Sequence, residues 1–343
     1  RRAMFTRVML RSAVELRVCG CRSISASSVG DRFPLRGYSM EEEKTREQKN
    51  VLITGATNGI GKEMALRLVR EGYSVTITGR NQQKIDQVKD ELVKEREGAQ
   101  IDTYCFDIGN LADVRDTLRT MATVPFDTVI FNAGVLFPPR PSIERGHPEL
   151  EETLKTNVLG HYIIARRLID SAKEDKRLVT FVWISSTIVT KARRHWRWPS
   201  SVAGFRSFFA PQFFSDGWLS YIDSKLATIV IAQQLAKESK TGGSGVKRSV
   251  AIHPGVASTQ MFASIPPFQK RVLGWIKNIV SREEMDTAEM CADRVIDDAV
   301  LSNYDSENSW ICNGTQSIPP LNDTQKEEFM KFIQEITDRI QQD

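Results

Sequence analysis

Apolar and polar positions alternate along the chain after Asn50 in two different rhythms. Short β-branched or aromatic runs predict buried strands, whereas an apolar residue every three or four positions predicts an amphipathic helix. The strand-like runs, in chain order, are VLIT from residue 51, SVTITGR from 74, IDTYCFDI from 101, DTVIFNAG from 127, RLVTFVWISS from 177 and RSVAIHPG from 248. Helical patterns separate them, which is typical of a parallel sheet covered on both faces. We therefore predict a single α/β domain with a doubly wound parallel sheet.

Two stretches break this alternation. Residues 187–219 are rich in aromatic and basic side chains, and residues 260–282 include the amphipathic run PPFQKRVLGWIKNIVS. We interpret both as insertions above the sheet that form an enlarged substrate lid, and the second also suits a contact with a membrane surface. The alternative is that both are ordinary helices covering the core. On this interpretation the domain runs from residue 40 to residue 343.

Residues 1–39 differ in composition from the rest of the chain. They contain eight arginines and only two acidic residues, and a helix over residues 5–16 would be amphipathic. This composition predicts a removable mitochondrial targeting leader, cleaved before Ser39. The alternative is a disordered tail, or codons upstream of an initiator at Met4 or Met40, in a cytoplasmic or membrane-peripheral protein.

Charge and cysteine content exclude several classes of function. The leader sums to +6 and the whole chain to +4, so the remainder is close to −2 and offers no basic face for nucleic acid. Five cysteines without CxxC spacing indicate neither a disulfide framework nor a zinc site, and we expect no bound metal. No apolar run reaches the roughly 18 residues of a membrane-spanning helix.

A glycine-rich turn, TGATNGIG, lies between the first strand and the first helix. Glycines allow a sharp turn and a close approach of the backbone, and the start of the helix presents free N–H groups to a pyrophosphate. This context predicts a dinucleotide-binding site. The residues expected to form it are Gly55, Thr57, Asn58, Gly59, Ile60 and Gly61.

The end of the second strand selects between two cofactors. An NAD site usually carries an acidic residue there to hold the ribose 2′-hydroxyl, whereas this chain has Gly79 and Arg80. A guanidinium can pair with a 2′-phosphate through two hydrogen bonds. We therefore expect NADP(H) rather than NAD(H), the alternative being that Arg80 is a solvated loop charge.

Further motifs follow the glycine turn in a fixed order: FNAG at residues 131–134, TNVLG at 156–160, WISS at 183–186, YIDSK at 221–225 and HPGVAST at 253–259. The ordered set resembles the classical short-chain dehydrogenase/reductase family over about residues 50–300, with phenylalanine replacing the first asparagine of the family's NNAG motif. The YxxSK form is most similar to the retinol dehydrogenase-like branch. The resemblance implies a Rossmann fold and hydride transfer between a nicotinamide cofactor and a carbonyl or alcohol.

The resemblance also implies roles for individual residues. Tyr221 matches the general acid/base, Lys225 its cationic partner, and Ser186 the hydroxyl that orients the substrate, with Ser185 as competitor. Asn157 matches the residue that supports a proton-relay water. Besides the glycine turn, Arg80 and the Tyr–Lys pair, the residues expected at the cofactor are Asp107, Ile108, Asn132, Ala133, Gly134, Pro254, Gly255 and Thr259.

A spacing of four places Tyr221 and Lys225 on one face of a helix. A free phenol has a pKa of roughly 10. We expect the adjacent ammonium, together with the positive charge of an oxidised cofactor, to lower the pKa of Tyr221. Because Ser186 and Tyr221 are 35 positions apart, the residues between them must loop out if the strand end and the helix are to meet.

The sequence favours an NADP(H)-dependent oxidoreductase acting on a hydrophobic carbonyl or alcohol, such as a retinoid, a steroid or a lipid-derived compound. The aromatic residues of the two insertions are the reason for this substrate class. A cofactor-binding scaffold or sensor without catalysis is the alternative. A substrate tethered to a carrier stays open because of the basic residues within 191–197, as do homodimer formation and peripheral membrane contact.

Overall fold

The computed structural model of the chain describes residues 49–136, 138, 146–191, 197–211, 217–257, 286–302, 310–312 and 321–342. These residues belong to one compact unit, Gln48–Asp343. The expected leader, the second insertion at residues 260–282 and Thr259 lie outside the described residues.

Seven parallel strands form one sheet in the order β3-β2-β1-β4-β5-β6-β7. The strands are β1 (Asn50–Ile53), β2 (Ser74–Gly79), β3 (Ile101–Cys105), β4 (Thr128–Phe131), β5 (Val179–Ile184), β6 (Val246–His253) and β7 (Trp310–Cys312). Every residue of β4 and β5 is buried, as expected where helices cover both faces of a parallel sheet. The predicted doubly wound α/β domain is confirmed.

Nine helices are described alongside the sheet. They are α1 (Gly59–Arg70), α2 (Gln82–Glu95), α3 (Leu111–Met121), α4 (Gly160–Glu174), α5 (Ile188–Lys191), α6 (Val202–Phe208), α7 (Gly217–Glu238), α8 (Ala288–Val295) and α9 (Asp323–Gln342). A short turn at Glu152–Leu154 and a π-helical turn at Lys155–Leu159 lead into α4 without a break. A second π-helical turn, Ile296–Leu301, continues α8.

The sheet carries a hydrophobic core on each face. Helices α1, α2 and α8 cover one face, where Met64, Ile85 and Val295 are buried. Helices α3, α4, α7 and α9 cover the other face, where Leu168 and Phe329 are buried. Burial on both sides explains why the central strands β1, β4 and β5 are mostly apolar.

The order of strands reverses at β1, which pairs with β2 on one side and with β4 on the other. At such a switch point the connections leave in opposite directions and open a crevice beyond the carboxyl ends of the strands. The fold therefore locates the candidate site at the carboxyl edge of the sheet.

The first insertion forms an aromatic cluster with the C-terminal helix. Its members are Trp198, Phe205 and Phe209 from the insertion and Phe329 and Phe332 from α9, and all five are buried. The ring centroids of Trp198 and Phe329 are 4.9 Å apart, and those of Phe205 and Phe332 are 6.0 Å apart. These aromatic side chains are used in packing α9 against the domain.

This packing changes the basis for the substrate class. The buried aromatic residues of 187–219 pack against α9, so they cover the core and give no reason to expect an apolar substrate. Phe213 and Phe214, which belong to the same insertion, lie outside the described residues. Among the residues that the structure does describe, no helix combines the length and the apolar character needed to cross a bilayer.

Candidate active site

The loop after β1 turns sharply and lies close to the loop after β4. Gly55 and Gly59 have φ angles of +67° and +55°, in the left-handed region that favours glycine. A Cβ atom on Gly55 would lie 2.8 Å from the Cα atom of Ala133, and one on Gly61 would lie 2.5 Å from Nδ2 of Asn132. Both distances are below van der Waals contact, so these positions require glycine.

The turn leads into the amino terminus of α1. The Asn58 side chain accepts a hydrogen bond from N of Gly59 (2.7 Å), and the first turn of α1 contains no acidic residue. Ile60 packs against the core, and Cγ2 of Thr57 lies so near β2 that a Cβ on Gly79 would come within 2.6 Å of it. Because a helix amino terminus attracts negative charge, this turn fits a pyrophosphate.

Hydrogen bonds join the glycine turn to the loop after β4. The backbone N of Asn132 and of Ala133 donate to Oγ1 of Thr54, at 3.0 and 3.1 Å. Nδ2 of Asn132 donates to the carbonyl oxygens of Thr54 (3.0 Å) and Gly55 (3.1 Å). Sequence reasoning included Asn132 and Ala133 but missed Thr54, although the threonine opens the TGATNGIG motif.

Two other loops end at the same edge of the sheet. Arg80 is exposed directly after β2, and Asn81 behind it caps α2. After β3, the Asp107 carboxylate accepts a hydrogen bond from N of Gly109 (2.9 Å), which shapes the loop. The strand order brings Arg80 and Asp107 to the side of the crevice next to the glycine turn.

The loop after β3 also contacts the start of α4. A Cβ atom on Gly160 would lie 2.3 Å from the carbonyl oxygen of Ile108. Only glycine permits this approach, which explains the glycine of the TNVLG motif. Ile108 itself is buried and supports the loop from beneath.

Asn157 lies in the π-helical turn before α4 and is buried. Its Oδ1 accepts from N of Val135 (2.8 Å), and its Nδ2 donates to O of Val135 (3.1 Å) and to Oγ of Ser224 (3.0 Å). Ser224 Oγ in turn donates to the carbonyl oxygen of Tyr221 (2.7 Å). A Cβ atom on Gly134 would be 3.4 Å from Oδ1 of Asn157. The asparagine therefore links the loop after β4 to α7.

Tyr221 and Lys225 lie together in the first turns of α7, against the end of β5. The Lys225 Nζ atom is 5.6 Å from the centroid of the Tyr221 ring and donates a hydrogen bond to the carbonyl oxygen of Ile184 (2.8 Å). Lys225 is buried and Tyr221 half-buried. The structure thus joins the strand end and the helix despite the long separation in sequence.

The two serines after β5 have different surroundings. Ser185 is buried, and its Oγ donates to the carbonyl oxygen of Lys225 (2.7 Å). Ser186 is half-buried, and within the described part of the chain its Oγ only accepts from N of Ile188 (3.3 Å). The hydroxyl proton of Ser186 can therefore be donated to another molecule, whereas that of Ser185 is already donated to the Lys225 carbonyl.

Burial controls the titration of the Tyr–Lys pair within the protein. It raises the pKa of Tyr221 to about 12 and lowers the pKa of Lys225 to about 8, because each charged form is poorly solvated there. The sequence predicts a lowered pKa for Tyr221 from the adjacent ammonium together with the positive charge of an oxidised cofactor. In the protein alone, desolvation raises the pKa of Tyr221. A lower pKa for this phenol would therefore require positive charge supplied by a ligand.

The loop after β6 is held by two residues that sequence reasoning missed. Nη1 of Arg294 donates to the carbonyl oxygen of Pro254 and to Oδ2 of Asp286 (3.1 Å). Gly255 has a φ angle of +114°, and a Cβ atom there would lie 2.2 Å from Oδ2 of Asp286. Pro254 and Gly255 are thus fixed at the crevice, while Thr259 lies outside the described residues. In the described ranges, no group of three His, Cys, Asp or Glu residues is placed to bind a metal ion.

Sequence comparisons agree with this geometry. The family model for short chain dehydrogenase matches residues 49–209. Human polyprenol dehydrogenase is 28% identical over 242 residues, covering 67% of this chain and 68% of the relative. Human retinol dehydrogenase 11 is 29% identical over 217 residues, 62% of each chain. The chain thus spans about two thirds of the length of these relatives.

Among solved structures, an actinorhodin polyketide ketoreductase variant crystallised with NADPH has the same fold. It superimposes with a TM-score of 0.56 at 19% identity, covering 78% of this chain and 97% of the ketoreductase. The match is evidence for the fold alone. The family model, the curated relatives and the ordered motifs agree that the chain is similar to short-chain dehydrogenases over the residues that they match.

Proposed function

We propose that the protein transfers hydride between NADP(H) and a hydrophobic carbonyl or alcohol, with Tyr221 as general acid/base. The observation that carries the proposal is the position of Tyr221 and Lys225 beside the end of β5, at the switch-point edge of the sheet. The glycine turn, the amino terminus of α1 and the loop after β4 would hold the dinucleotide at that same edge.

The proposed roles follow from the chemistry of each group. A bound nicotinamide supplies or accepts the hydride. In the reductive direction, Tyr221 donates its phenolic proton to the carbonyl oxygen, so that an alcohol and a tyrosinate result. Ser186 donates a hydrogen bond to the same oxygen while negative charge develops on it. Lys225 stabilises the tyrosinate, and Asn157 holds α7 against the loop after β4.

Replacing Tyr221 by phenylalanine tests the reaction. We expect kcat to fall by about 10²- to 10⁴-fold, the usual contribution of a positioned acid/base, with the Kd for NADPH and the thermal midpoint close to wild type. Tyr162→Phe is the matched control, since it removes a buried tyrosine hydroxyl bonded to Oε1 of Gln334 (2.8 Å). Turnover that survives in Tyr221→Phe would contradict the proposal.

The NADP(H) preference rests on Arg80 and on the absence of an acid at the end of β2. Arg80→Glu should raise the KM for NADPH by about 10- to 100-fold, because a charge-assisted pair is replaced by repulsion, and should change the KM for NADH much less. Lys94→Ala, at the far end of α2, is the control for a lost surface cation. Equal changes for both cofactors would refute the assignment.

The substrate class now rests on the relatives. Polyprenol and retinol, the compounds after which these relatives are named, are apolar alcohols, and the aromatic cluster gives no support for the substrate class. NADPH oxidation should increase along a series of aldehydes with longer apolar chains. If activity is independent of chain length, a hydrophobic substrate is excluded.

A cofactor-binding scaffold without catalysis is the second candidate. The raised pKa of Tyr221 within the protein favours it, because a phenol with a pKa of about 12 is a poor base at neutral pH. Tight NADPH binding, unchanged in Tyr221→Phe and without turnover of any member of the series, would select this function.

A further inference from the structure

His161 lies on the first turn of α4, between the glycine turn and the π-helical turn, and is 1% exposed. Its Nε2 atom is 2.9 Å from Oγ1 of Thr54, and its Nδ1 atom is 3.2 Å from the carbonyl oxygen of Asn157. The ring therefore contacts both the residue that opens the glycine turn and a residue of the candidate catalytic set.

Counting the hydrogen bonds of Thr54 determines which histidine nitrogen carries the proton. Thr54 Oγ1 accepts two backbone N–H groups, from Asn132 and Ala133, which occupies both lone pairs. Its own proton must then be donated, either to His161 Nε2 at 2.9 Å or to the carbonyl oxygen of Ile130 at 3.5 Å. That carbonyl already accepts from N of Thr54, and it shares the N–H of Asn132 with Thr54 Oγ1. The hydroxyl therefore donates to Nε2, and Nδ1–H donates to Asn157.

We propose that His161 is a positioning residue, which couples the dinucleotide-binding turn to the catalytic helix by holding Thr54 Oγ1 and the Asn157 carbonyl at once. The proposal rests on the function proposed above. The Nδ1–H group of His161 fixes the backbone of Asn157 in the π-helical turn. The Nε2 atom of His161 orients the Thr54 hydroxyl, which holds the loop after β4.

The contacts of Asn157 extend this coupling to the acid/base. Its side chain binds Ser224, and Ser224 binds the carbonyl oxygen of Tyr221. One continuous series of hydrogen bonds thus runs from Thr54 through His161 and Asn157 to the first turns of α7. A shift of the Asn157 backbone would move the start of α7, and with it the phenol.

Two further observations support a neutral ring in a fixed orientation. Burial, with a smaller contribution from the charge of Lys225, lowers the pKa of His161 to about 3, so the ring is uncharged at neutral pH. Phe131 packs against it with ring centroids 5.0 Å apart. A neutral imidazole can donate at one nitrogen while accepting at the other.

The tautomer can be tested without measuring activity. In ¹⁵N NMR spectra at pH 7, one of the four histidines should show a protonated Nδ1 and an unprotonated Nε2, and its signal should disappear in His161→Gln. A protonated Nε2, or a charged ring, would overturn the assignment.

Two substitutions of His161 each remove one of its two contacts, to Thr54 or to Asn157, and keep the other. The asparagine amide of His161→Asn reaches the Nδ1 position and can still donate to Asn157, but it loses Thr54. The glutamine of His161→Gln reaches the Nε2 position and can still accept from Thr54, but it loses Asn157. We expect His161→Gln to lower kcat about tenfold with the Kd for NADPH within about twofold, and His161→Asn to raise that Kd about tenfold with kcat nearly unchanged.

Controls distinguish this role from a merely structural one. Thr337→Val removes a buried hydroxyl bonded to the Ile333 carbonyl (2.8 Å) on α9 and should change the thermal midpoint alone. Equal losses of kcat and affinity in both His161 variants, in proportion to the thermal midpoint, would overturn the proposal. If the wild type shows no turnover that depends on Tyr221, the proposed function fails, while the Kd and NMR results still decide whether His161 holds both groups.

Discussion

The carboxyl edge of the sheet and the aromatic cluster are held in place by different kinds of interaction. At the edge, each position is defined by hydrogen bonds and close backbone approaches, such as the 2.5 Å that a Cβ on Gly61 would leave to Asn132. In the cluster, Phe205 and its partners Phe329 and Phe332 on α9 are buried aromatic side chains that pack against one another. Changes at the edge should therefore alter binding and turnover, and changes in the cluster should alter stability.

The largest effect on stability is expected in the cluster. Phe332 is fully buried and stacks with Phe205 and Phe209 at centroid distances of 6.0 and 5.9 Å. Phe332→Ala should reduce the free energy of unfolding by about 3–5 kcal/mol through lost burial and a residual cavity. Urea denaturation measures the loss, and kcat/KM at a temperature where the variant is folded should stay near wild type.

Phe208→Ala is the matched control. Phe208 belongs to the same insertion and meets Phe209 edge-on at 5.0 Å, but it is only half-buried, so its loss should matter less. If Phe332→Ala abolished turnover while leaving stability intact, the cluster would have to be counted as part of the active site.

The same contrast explains what could be predicted from sequence. The strands and the glycine turn were predictable because hydrophobic period and glycine stereochemistry are local properties. The partner of an aromatic residue is not local: nothing in residues 187–219 indicates that Phe205 packs on a helix more than 100 residues further along the chain. Strand β7 was missed for the same reason, since its three residues are placed by pairing with β6.

At the site, the resemblance identified candidates, but the connections between them appeared only in the structure. Thr54, His161 and Arg294 each make a hydrogen bond that no spacing rule predicts, because these bonds join residues between 40 and 107 positions apart. The raised pKa of Tyr221 was also unpredictable, since it depends on burial.

The second-largest effect on stability is expected at Lys225, where removal of the charged side chain should stabilise the protein. Below a pH of about 8, Lys225 is charged and desolvated in the folded protein, and the full cost of burial is present. Between its folded pKa of about 8 and its unfolded value of roughly 10.4, only the unfolded chain keeps the proton, so wild-type stability rises with pH. Lys225→Met should therefore be more stable than wild type at pH 7 by about 2 kcal/mol, after losing the bond to Ile184.

Urea midpoints at pH 7 and at about pH 10 measure this difference, which should shrink at the higher pH. Lys155→Met is the contrasting control, because Lys155 is equally buried but lies 2.7 Å from the Glu152 carboxylate. Removing it breaks the buried Lys155–Glu152 ion pair and should destabilise the protein at both pH values. A Lys225→Met variant that is less stable than wild type at pH 7 would show that the ammonium is better solvated than its burial indicates.

The smallest effect on stability is expected at Ser185, and it distinguishes this residue from its neighbour Ser186. Ser185→Ala should reduce the free energy of unfolding by about 1 kcal/mol, because the Lys225 carbonyl keeps its hydrogen bond from Oγ1 of Thr228 (2.8 Å). Ser186→Ala should leave the urea midpoint unchanged and lower kcat by about 10²-fold, as the loss of one donor to a developing oxyanion does.

The pair is informative because one position in the loop after β5 reverses the role of the side chain. Ser185 is buried and donates to the backbone of α7, while Ser186 is half-buried at the carboxyl edge of the sheet. If Ser185→Ala lost turnover at unchanged stability and Ser186→Ala did not, the hydroxyl that meets the substrate would have to be the buried one. That outcome would require α7 to move away from β5 before the substrate binds, since Ser185 Oγ now lies 2.7 Å from the Lys225 carbonyl.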